Sequence, residues 1–330
     1  MTQKFVADLS VVLPAYRRVK EVCELIDDLA EAQKTAQFRV VIINDKGPEE
    51  AYEATRAYAE EKLEWLTISR NDENLGIDRN IDRCLAAAET EFVLAIGDDD
   101  RVNVPNFIAL LEALPTIGDD LTLVEYSYVY EDLTMQKEQV IDLGPAPDFS
   151  TIEARRRFLF ARGTKLGFLG SVLFRTEAYR SHADPAFLGT WFNHVGAALN
   201  ILFDEACTIG WWSSPVVLNR AGDIRVTSWS DQMFDVIHGW WRMIELSCKS
   251  HGKCTIEEYR ARKAEVTFQY DSPMWMLSRR SENLITWDSL PTLFSTFGIE
   301  GAARMKYYAT CMLPPSLCLA MKKSARAIGK

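Results

Sequence analysis

Three consecutive aspartates, Asp98, Asp99 and Asp100, follow directly on Gly97 and the apolar run Phe92–Ile96. Adjacent carboxylates repel one another, and a hard divalent cation such as Mg²⁺ or Mn²⁺ relieves that repulsion and can bridge to phosphate oxygens. An apolar run without alternation predicts a strand buried on both faces of a parallel sheet. The acids then lie at the carboxyl edge of the sheet, where open α/β folds bind ligands. A solvated acidic turn is the alternative interpretation.

The elements that would position these acids come from the first third of the chain. Apolar runs alternate there with helical patterns, and the runs are Leu9–Leu13, Phe38–Ile43, Leu63–Ile68 and Phe92–Ile96. This alternation predicts a right-handed, mostly parallel sheet flanked by helices. Each run ends in polar or turn residues, so Tyr16, Asp45, Asn74 and the aspartates are expected to gather along one edge.

The bulk composition excludes several classes of protein. The chain has 330 residues, of which 48% are hydrophobic and 25% charged, as in ordinary globular proteins. A net charge of -10 argues against a nucleic-acid-binding protein that relies on phosphate neutralisation. No segment has the apolar length of a signal peptide or a membrane-spanning helix, which predicts a cytoplasmic location. The seven cysteines form no CxxC pair, which predicts reduced thiols rather than disulfides or a zinc site.

Four segments taken together resemble the family-2-type glycosyltransferases of the GT-A fold. They are Val11–Arg18, Val40–Pro48, Arg70–Asp100 and the helix that begins at Pro105, and they stand in the family's order and spacing. The resemblance implies an α/β, Rossmann-like, mostly parallel sheet with helices on its faces and a helical C-terminal extension. It also implies a nucleotide-diphosphate sugar as donor. There is one departure, because the family commonly has an acid where this chain has Gly97.

The resemblance assigns roles to residues at several strand ends. Contacts with the base, ribose or diphosphate are implied for Pro14, Ala15, Tyr16, Arg18, Asp45, Asn74, Gly76, Asp78 and Arg79. For the triplet it implies that Asp100 is the direct metal ligand, Asp98 faces the ribose or sugar with metal ligation as a second role, and Asp99 positions the sugar. The alternatives are a turn-forming role for Asp45 and a solvated helix charge for Arg79.

The acceptor region is implied to begin at Leu166–Arg175 and to continue through a loop into the apolar helix Ala197–Phe203. In inverting members of the family, a general base lies at the start of that helix. No acid occupies Thr190–Gly196, so His194 is the candidate base, because its ordinary pKa is close to working pH. Asp184 is the competing base. A hydrogen-bonded core histidine is the alternative for His194, and a retaining mechanism is the alternative if neither residue serves.

Downstream, Cys207–Leu218 is predicted to form a strand pair, and Asn219–Trp229 resembles the mobile loop that closes over the donor. An arginine from such a loop could neutralise the leaving diphosphate, and Arg225 is the first candidate and Arg220 the second. A plain surface connection is the alternative. Upstream, Thr151 is predicted to cap a basic helix that contains Arg155, with its charges on a solvated face.

Three parts of the chain are distinguished. Residues 1–120 would form the nucleotide-sugar-binding half of the GT-A domain, 121–230 the acceptor-binding half and 231–330 a helical extension. The tail Met305–Lys330 combines apolar residues with a cationic end, which suits a helix lying on an anionic bilayer. That would place the protein on the inner face of the plasma membrane. Packing on the core, or on a second subunit in a homodimer, is the alternative.

The resulting expectation is a metal-dependent, inverting glycosyltransferase. Its acceptor would be a hydroxyl group of a saccharide or a lipid-linked saccharide, as in bacterial polysaccharide and O-antigen synthesis, and the layout of Leu166–Phe203 resembles abequosyltransferases. A sugar nucleotidyltransferase is an alternative, but it would need a glycine-rich loop where this chain has Pro14-Ala15-Tyr16. A non-catalytic module that binds nucleotide sugars is the other alternative.

Overall fold

A computed structural model describes residues 4–220, 233–264, 273–297 and 299–328. Its strands, β1 to β9 in chain order, are Phe5–Ala15, Ala36–Asn44, Leu66–Arg70, Phe92–Ala95, Arg101–Val102, Leu121–Val129, Met135–Lys137, Val172–Arg175 and Ile209–Arg220. They form one sheet in the order β3-β2-β1-β4-β8-β6-β9-β5, with β7 paired to β6 beside that path.

The first half of the sheet is parallel, as the alternating pattern predicts. Val12 of β1 lies between Val41 of β2 and Ala95 of β4, and β3 continues the parallel pairing beyond β2. In the second half, β8 is antiparallel to both β4 and β6, whereas β9 runs parallel to β6 and pairs with β5 in the antiparallel sense. The predicted fold class is confirmed, with a mixed region where the two halves meet at β4 and β8.

Thirteen α-helices lie within the described residues. In chain order, α1 to α13 are Val19–Gln33, Glu49–Lys62, Ile77–Ala86, Val104–Ala113, Ile152–Arg162, Thr176–His182, Asn193–Phe203, Met233–His251, Ile256–Ala264, Pro273–Ser281, Leu290–Phe297, Ala303–Met312 and Pro315–Ile328. Pro105 falls in the first turn of α4, and Asn103 caps that helix by accepting from the Asn106 N–H at 3.3 Å. The chain therefore passes from the aspartates through the two-residue strand β5 into a capped helix.

The helices after β9 divide between two apolar clusters. Trp240, Trp241 and Tyr259, from α8 and α9, are buried in the same core as the sheet. Met276, Leu293 and other side chains of α10 to α12 form a second, smaller cluster. The extension that the sequence predicts from residue 231 therefore begins with helices that pack on the main core. Among the described residues, no helix combines the length and the apolar character needed to cross a membrane.

Two local predictions are wrong. Cys207–Leu218 does not form a strand pair, because one continuous strand, β9, runs from Ile209 to Arg220. Cys248 and Cys254 form a disulfide, so these two thiols are not reduced. The chain reverses after α8 and brings their Cα atoms to 5.2 Å, a proximity that a search for CxxC spacing does not detect.

Candidate active site

The three aspartates lie in the turn that follows β4. Asp100 is 3% exposed, and its backbone N–H donates to the Gly97 carbonyl at 3.2 Å. A side chain at Gly97 would have to fit against this turn, since an added Cβ would lie 2.7 Å from Asp100 Oδ2. The Asp100 carboxylate therefore fills the space that a side chain at position 97 would need.

Arg18 joins the end of β1 to this turn. Its Nη1 lies 2.9 Å from Asp98 Oδ1 and 2.5 Å from Asp99 Oδ2. The Tyr16 N–H donates to Asp98 Oδ2 at 3.3 Å. One guanidinium group therefore holds two of the three carboxylates beside the exposed ring of Tyr16, and the structure brings together the residues that the sequence places at the ends of β1 and β4.

The surroundings of Asp98 and Asp100 disfavour the charged form of these two carboxylates. Burial, opposed by Arg18 and reinforced by Asp99, raises the pKa of Asp98 to about 6. Burial and then the neighbouring Asp99 and Asp98 raise the pKa of Asp100 well above its ordinary value. Closely spaced, partly desolvated oxygen ligands are the donor set that Mg²⁺ and Mn²⁺ prefer, so these residues fit a divalent cation.

Asn219, which the sequence places at the start of the predicted donor-closing loop, instead lies in β9 and contacts the aspartate turn. Its Nδ2 donates to Asp100 Oδ1 at 3.2 Å. The contact arises because β5, just after the aspartates, pairs with the end of β9, where Arg101 lies opposite Leu218. This contact depends on the pairing of two strands that are far apart in the sequence, and a local sequence pattern does not reveal such a pairing.

Asp45 fixes the turn that precedes α3. Its carboxylate is 5% exposed and accepts from Asn71 Nδ2 at 2.8 Å, from Leu75 N at 2.8 Å and from Gly76 N at 3.0 Å. Gly76 has a φ of +81°, a conformation that glycine adopts readily. Asn74, which also accepts from Gly76 N, is exposed. In this structure Asp45 therefore acts as a positioning residue for the turn.

Asp78 connects the donor edge with the acceptor region. It is 6% exposed, and it accepts from Trp191 N at 2.7 Å and from Asn193 N at 3.4 Å. Trp191 has a φ of 70°, in the left-handed region that a bulky residue rarely adopts. The Asp78 carboxylate, on the first turn of α3, thus holds the start of α7. The next residue of α3, Arg79, is exposed to solvent.

The two candidate bases differ in their surroundings. His194 is 2% exposed, and burial lowers its pKa to about 4, so the ring is neutral at pH 7. Neither ring nitrogen makes a well-formed hydrogen bond among the described residues. Asp184 is exposed and caps the short 3₁₀ turn Pro185–Phe187 by accepting from Ala186 N at 2.8 Å. Only Asp184 is open to a solvent-borne acceptor in this conformation.

The remaining predicted site residues occupy different environments. Pro14 and Ala15 are the last residues of β1, opposite Ile43 and Asn44 of β2. Arg220 ends β9 with its side chain buried and paired to Glu24 of α1, so it does not point freely toward a donor. Arg225 lies outside the described residues.

A sheet with a parallel first half, an acidic turn at the carboxyl edge of that half and a mixed second half defines a GT-A glycosyltransferase that uses a nucleotide sugar. The chain belongs to glycosyl transferase family 2, whose sequence profile matches residues 10–178, more than half of its length. The match spans the aspartate turn, Tyr16 and Arg18 beside it, and the strand β8. The enzyme is therefore a glycosyltransferase, as the sequence predicts.

Solved structures share the fold across nearly the whole chain. S. aureus TarS 1–349 aligns with a TM-score of 0.54 at 16% identity, covering 98% of this chain and 92% of that one. The mannosyltransferase PcManGT from Pyrobaculum calidifontis, in complex with GDP-Man and Mn²⁺, aligns with a TM-score of 0.54 at 16% identity, covering 99% and 81%. No curated protein sequence gives a significant match. The predicted likeness to abequosyltransferases stays a prediction.

Proposed function

We propose that the enzyme transfers a sugar from a nucleotide-diphosphate donor to a hydroxyl group of a saccharide acceptor, with Mg²⁺ or Mn²⁺ bound at the aspartate turn. The observation that carries this proposal is the closely spaced set Asp98–Asp100 at the carboxyl edge of the sheet, in which Asp100 is buried and Arg18 holds Asp98 and Asp99. The metal assignment is supported by analogy, because PcManGT, which has a similar fold, was solved in complex with GDP-Man and Mn²⁺. Residues 1–120 would bind the donor and 121–230 the acceptor, with 231–330 as the helical extension.

Asp100 and Asp98 would hold the cation, and Asp99 would position the sugar. When bound, the cation stabilises the charge that develops on the leaving diphosphate. Arg18 keeps Asp98 and Asp99 in place before the donor arrives, so little reorganisation is needed at binding. Tyr16, 40% exposed beside this pair, offers a ring to the nucleotide.

For the acceptor side we propose an inverting reaction, in which a base removes the hydroxyl proton as that oxygen attacks the anomeric carbon. Asp184 and His194 are the two candidates. The exposure of Asp184 favours it for direct contact, whereas His194 would first require an opening of the segment that Asp78 holds. The neutral state of His194 at pH 7 is the state that a base requires.

The acceptor we propose is a lipid-linked saccharide of a bacterial surface polysaccharide. The supporting observation is a set of exposed apolar side chains on and around α12 and α13, namely Met305, Met312, Leu317, Leu319 and Met321. Exposed apolar side chains concentrated on one part of a protein mark a surface that contacts a membrane or another protein. A second subunit is the alternative occupant.

The test is calorimetry of UDP, GDP and CDP with Mn²⁺, followed by turnover of the sugar nucleotide that binds. We expect Asp100→Asn to abolish metal-dependent donor binding, because it removes a ligand charge from the turn, and Glu112→Gln, an exposed acid on α4, to bind normally. A transferase releases nucleoside diphosphate and a nucleotidyltransferase releases pyrophosphate. Unchanged affinity of Asp100→Asn would refute the metal assignment.

The same assay separates the two bases. With donor binding intact, loss of the base should lower turnover at least about a hundredfold. Asp184→Asn and His194→Gln are therefore compared side by side, and the variant that keeps near-normal turnover removes its residue from the role. If both retain turnover, the base assignment fails while the donor site still stands.

A further inference from the structure

A cluster of metal-ligating side chains lies away from the aspartate turn. His182 is the last residue of α6, Asp204 follows the end of α7, and Cys207 precedes β9. His182 Nε2 is 3.2 Å from Asp204 Oδ2 and 3.7 Å from Cys207 Sγ. All three ligand atoms lie within 4.8 Å of one another.

Two of these distances, from His182 Nε2 to Asp204 Oδ2 and to Cys207 Sγ, agree with the first coordination shell of zinc. Bond lengths of about 2.0 Å for nitrogen or oxygen and about 2.3 Å for sulfur place neighbouring ligands of a tetrahedron about 3.3 to 3.6 Å apart. The contacts of His182 Nε2 with Asp204 and Cys207 differ from those spacings by little. The side chains are therefore already near the positions that a bound ion would require.

The contacts of the two His182 ring nitrogens suit a metal ligand better than a catalytic relay. His182 Nδ1 lies 2.8 Å from the Ala178 carbonyl oxygen, and because that oxygen can only accept, Nδ1 carries the proton. In the neutral ring, Nε2 then presents a lone pair to the Asp204 carboxylate. Two lone pairs in contact are favourable only if a proton or a cation lies between them. A nucleophile-base-acid triad would use both ring nitrogens, whereas here the acid and the thiol meet the same one.

The surroundings hold the other two ligands in place. Asp204 Oδ1 accepts from Ala206 N at 2.8 Å, which leaves Oδ2 to face His182. Arg155 donates to the backbone carbonyls of Asp204 and Cys207, each at 2.8 Å, and so fixes the backbone of the turn that carries both side chains. Hydrogen bonds that orient ligands in this way are a regular part of metal sites.

We propose that His182, Asp204 and Cys207 bind one Zn²⁺ ion, with water completing the coordination through the partly exposed side of Asp204. An imidazole, a carboxylate and a thiolate suit zinc and not Mg²⁺. The thiol loses its proton to solvent when the sulfur–zinc bond forms. The ion joins the ends of α6 and α7 to the start of β9. The path along β9 from Cys207 to Asn219, which contacts the aspartate turn, is about 40 Å at about 3.3 Å per residue, so the role of the ion is structural.

The experiment uses the full chain after removal of metals with a chelator, and Co²⁺ as a spectroscopic probe. We expect one equivalent of Co²⁺ to give a thiolate-to-cobalt charge-transfer band, which Zn²⁺ removes by displacement and Mg²⁺ does not. Cys207→Ser should lose the band. Cys311→Ser, a buried free thiol in the second cluster, and Asp100→Asn should both keep it. His182→Gln and Asp204→Asn should weaken binding at least about tenfold.

Two results would overturn the proposal: no thiolate band in the wild-type protein, or a band that persists in Cys207→Ser. If Cys207→Ser fails to fold, Asp204→Asn, which keeps the side-chain size, gives the same decision. Thermal unfolding supplies an independent measurement, because Zn²⁺ should raise the midpoint of the wild type clearly more than that of Asp204→Asn. A metal-free imidazolium–carboxylate pair would show no zinc-dependent shift in either protein.

Discussion

At the scale of single residues, the geometry of the aspartate turn depends on what Gly97 lacks. Its α-carbon approaches the Asp100 carboxylate so closely that a Cβ would lie 2.7 Å from Oδ2. Real Cβ atoms do not tolerate such a contact, and Asp100 is too buried to move without disturbing Asn219, which donates to its other oxygen. A side chain at position 97 and the present position of the Asp100 carboxylate therefore exclude each other in this chain.

Replacing Gly97 with alanine is expected to weaken metal-dependent donor binding about tenfold, because the new methyl group displaces the Asp100 carboxylate from its position. Ten-fold corresponds to about 1.4 kcal/mol of binding free energy. Calorimetry with Mn²⁺ and the preferred nucleoside diphosphate measures the change. Gly118→Ala is the matched control, since a Cβ there meets nothing within 4 Å. Equal affinities of the two variants would show that Asp100 does not have to stay where the structure places it.

At the scale of secondary-structure elements, Asp78 makes the junction between α3 and α7 specific. Its carboxylate accepts from the N–H groups of Trp191 and Asn193, and Trp191 keeps a left-handed backbone in that arrangement. Backbone strain of this kind costs on the order of 1 kcal/mol or more and persists only where neighbouring contacts impose it. The segment that leads into α7 is therefore shaped by a contact from the donor half.

Asp78→Asn is expected to leave donor affinity within about twofold and to lower turnover about tenfold, since losing one charged hydrogen bond costs on the order of 1.5 kcal/mol. The acceptor segment then relaxes while the aspartate turn stays intact. Donor calorimetry and turnover at saturating donor are compared on the same preparation. A large loss of donor affinity would instead support the direct nucleotide contact that the sequence predicts for Asp78.

How far the sequence predicts these elements depends on how local their determinants are. The strands β1 to β4, Pro105 in the first turn of α4 and the Thr151 cap, which accepts from Ala154 N at 3.2 Å, follow from short-range patterns. The insertion of β8 between β4 and β6, and the contact of Asn219 with Asp100, depend on pairing between distant segments. Arg155 was expected on a solvated face but is 5% exposed, because carbonyls far along the chain accept its hydrogen bonds.

At the scale of the whole molecule, two surfaces of different chemistry stand out. The donor edge is polar and acidic, whereas the region of α12 and α13 exposes Met312, 76% accessible, together with Met305 at 65% and Leu317 at 46%. Lys322 in α13 pairs with Glu282, which lies in the turn that follows α10. Part of the cationic end is therefore not available to lipid headgroups. Attachment would thus depend mainly on the apolar side chains.

We expect the double variant Met312→Ser, Leu317→Ser to lose most of its co-sedimentation with anionic phospholipid vesicles, because it removes apolar area worth about 25 cal/mol per Å². The control is Val6→Ser, an exposed apolar residue (68%) at the start of β1. Light scattering runs in parallel. Vesicle binding that survives the double change would refute a membrane role for these side chains, and a dimer that the change converts to a monomer would assign them to a subunit contact.

The hydrogen bonds that the Asp45 carboxylate already accepts have a consequence for attempts to change the nucleotide preference. Three of its roughly four lone-pair sites are already engaged by the turn before α3, so little capacity remains for reading a nucleobase. Substitution of Asp45 is therefore expected to disrupt the turn before α3 rather than to change the nucleotide selectivity. A mutant library that aims to change the donor specificity of this enzyme should therefore keep Asp45 constant and vary the exposed positions Asn74 and Arg79.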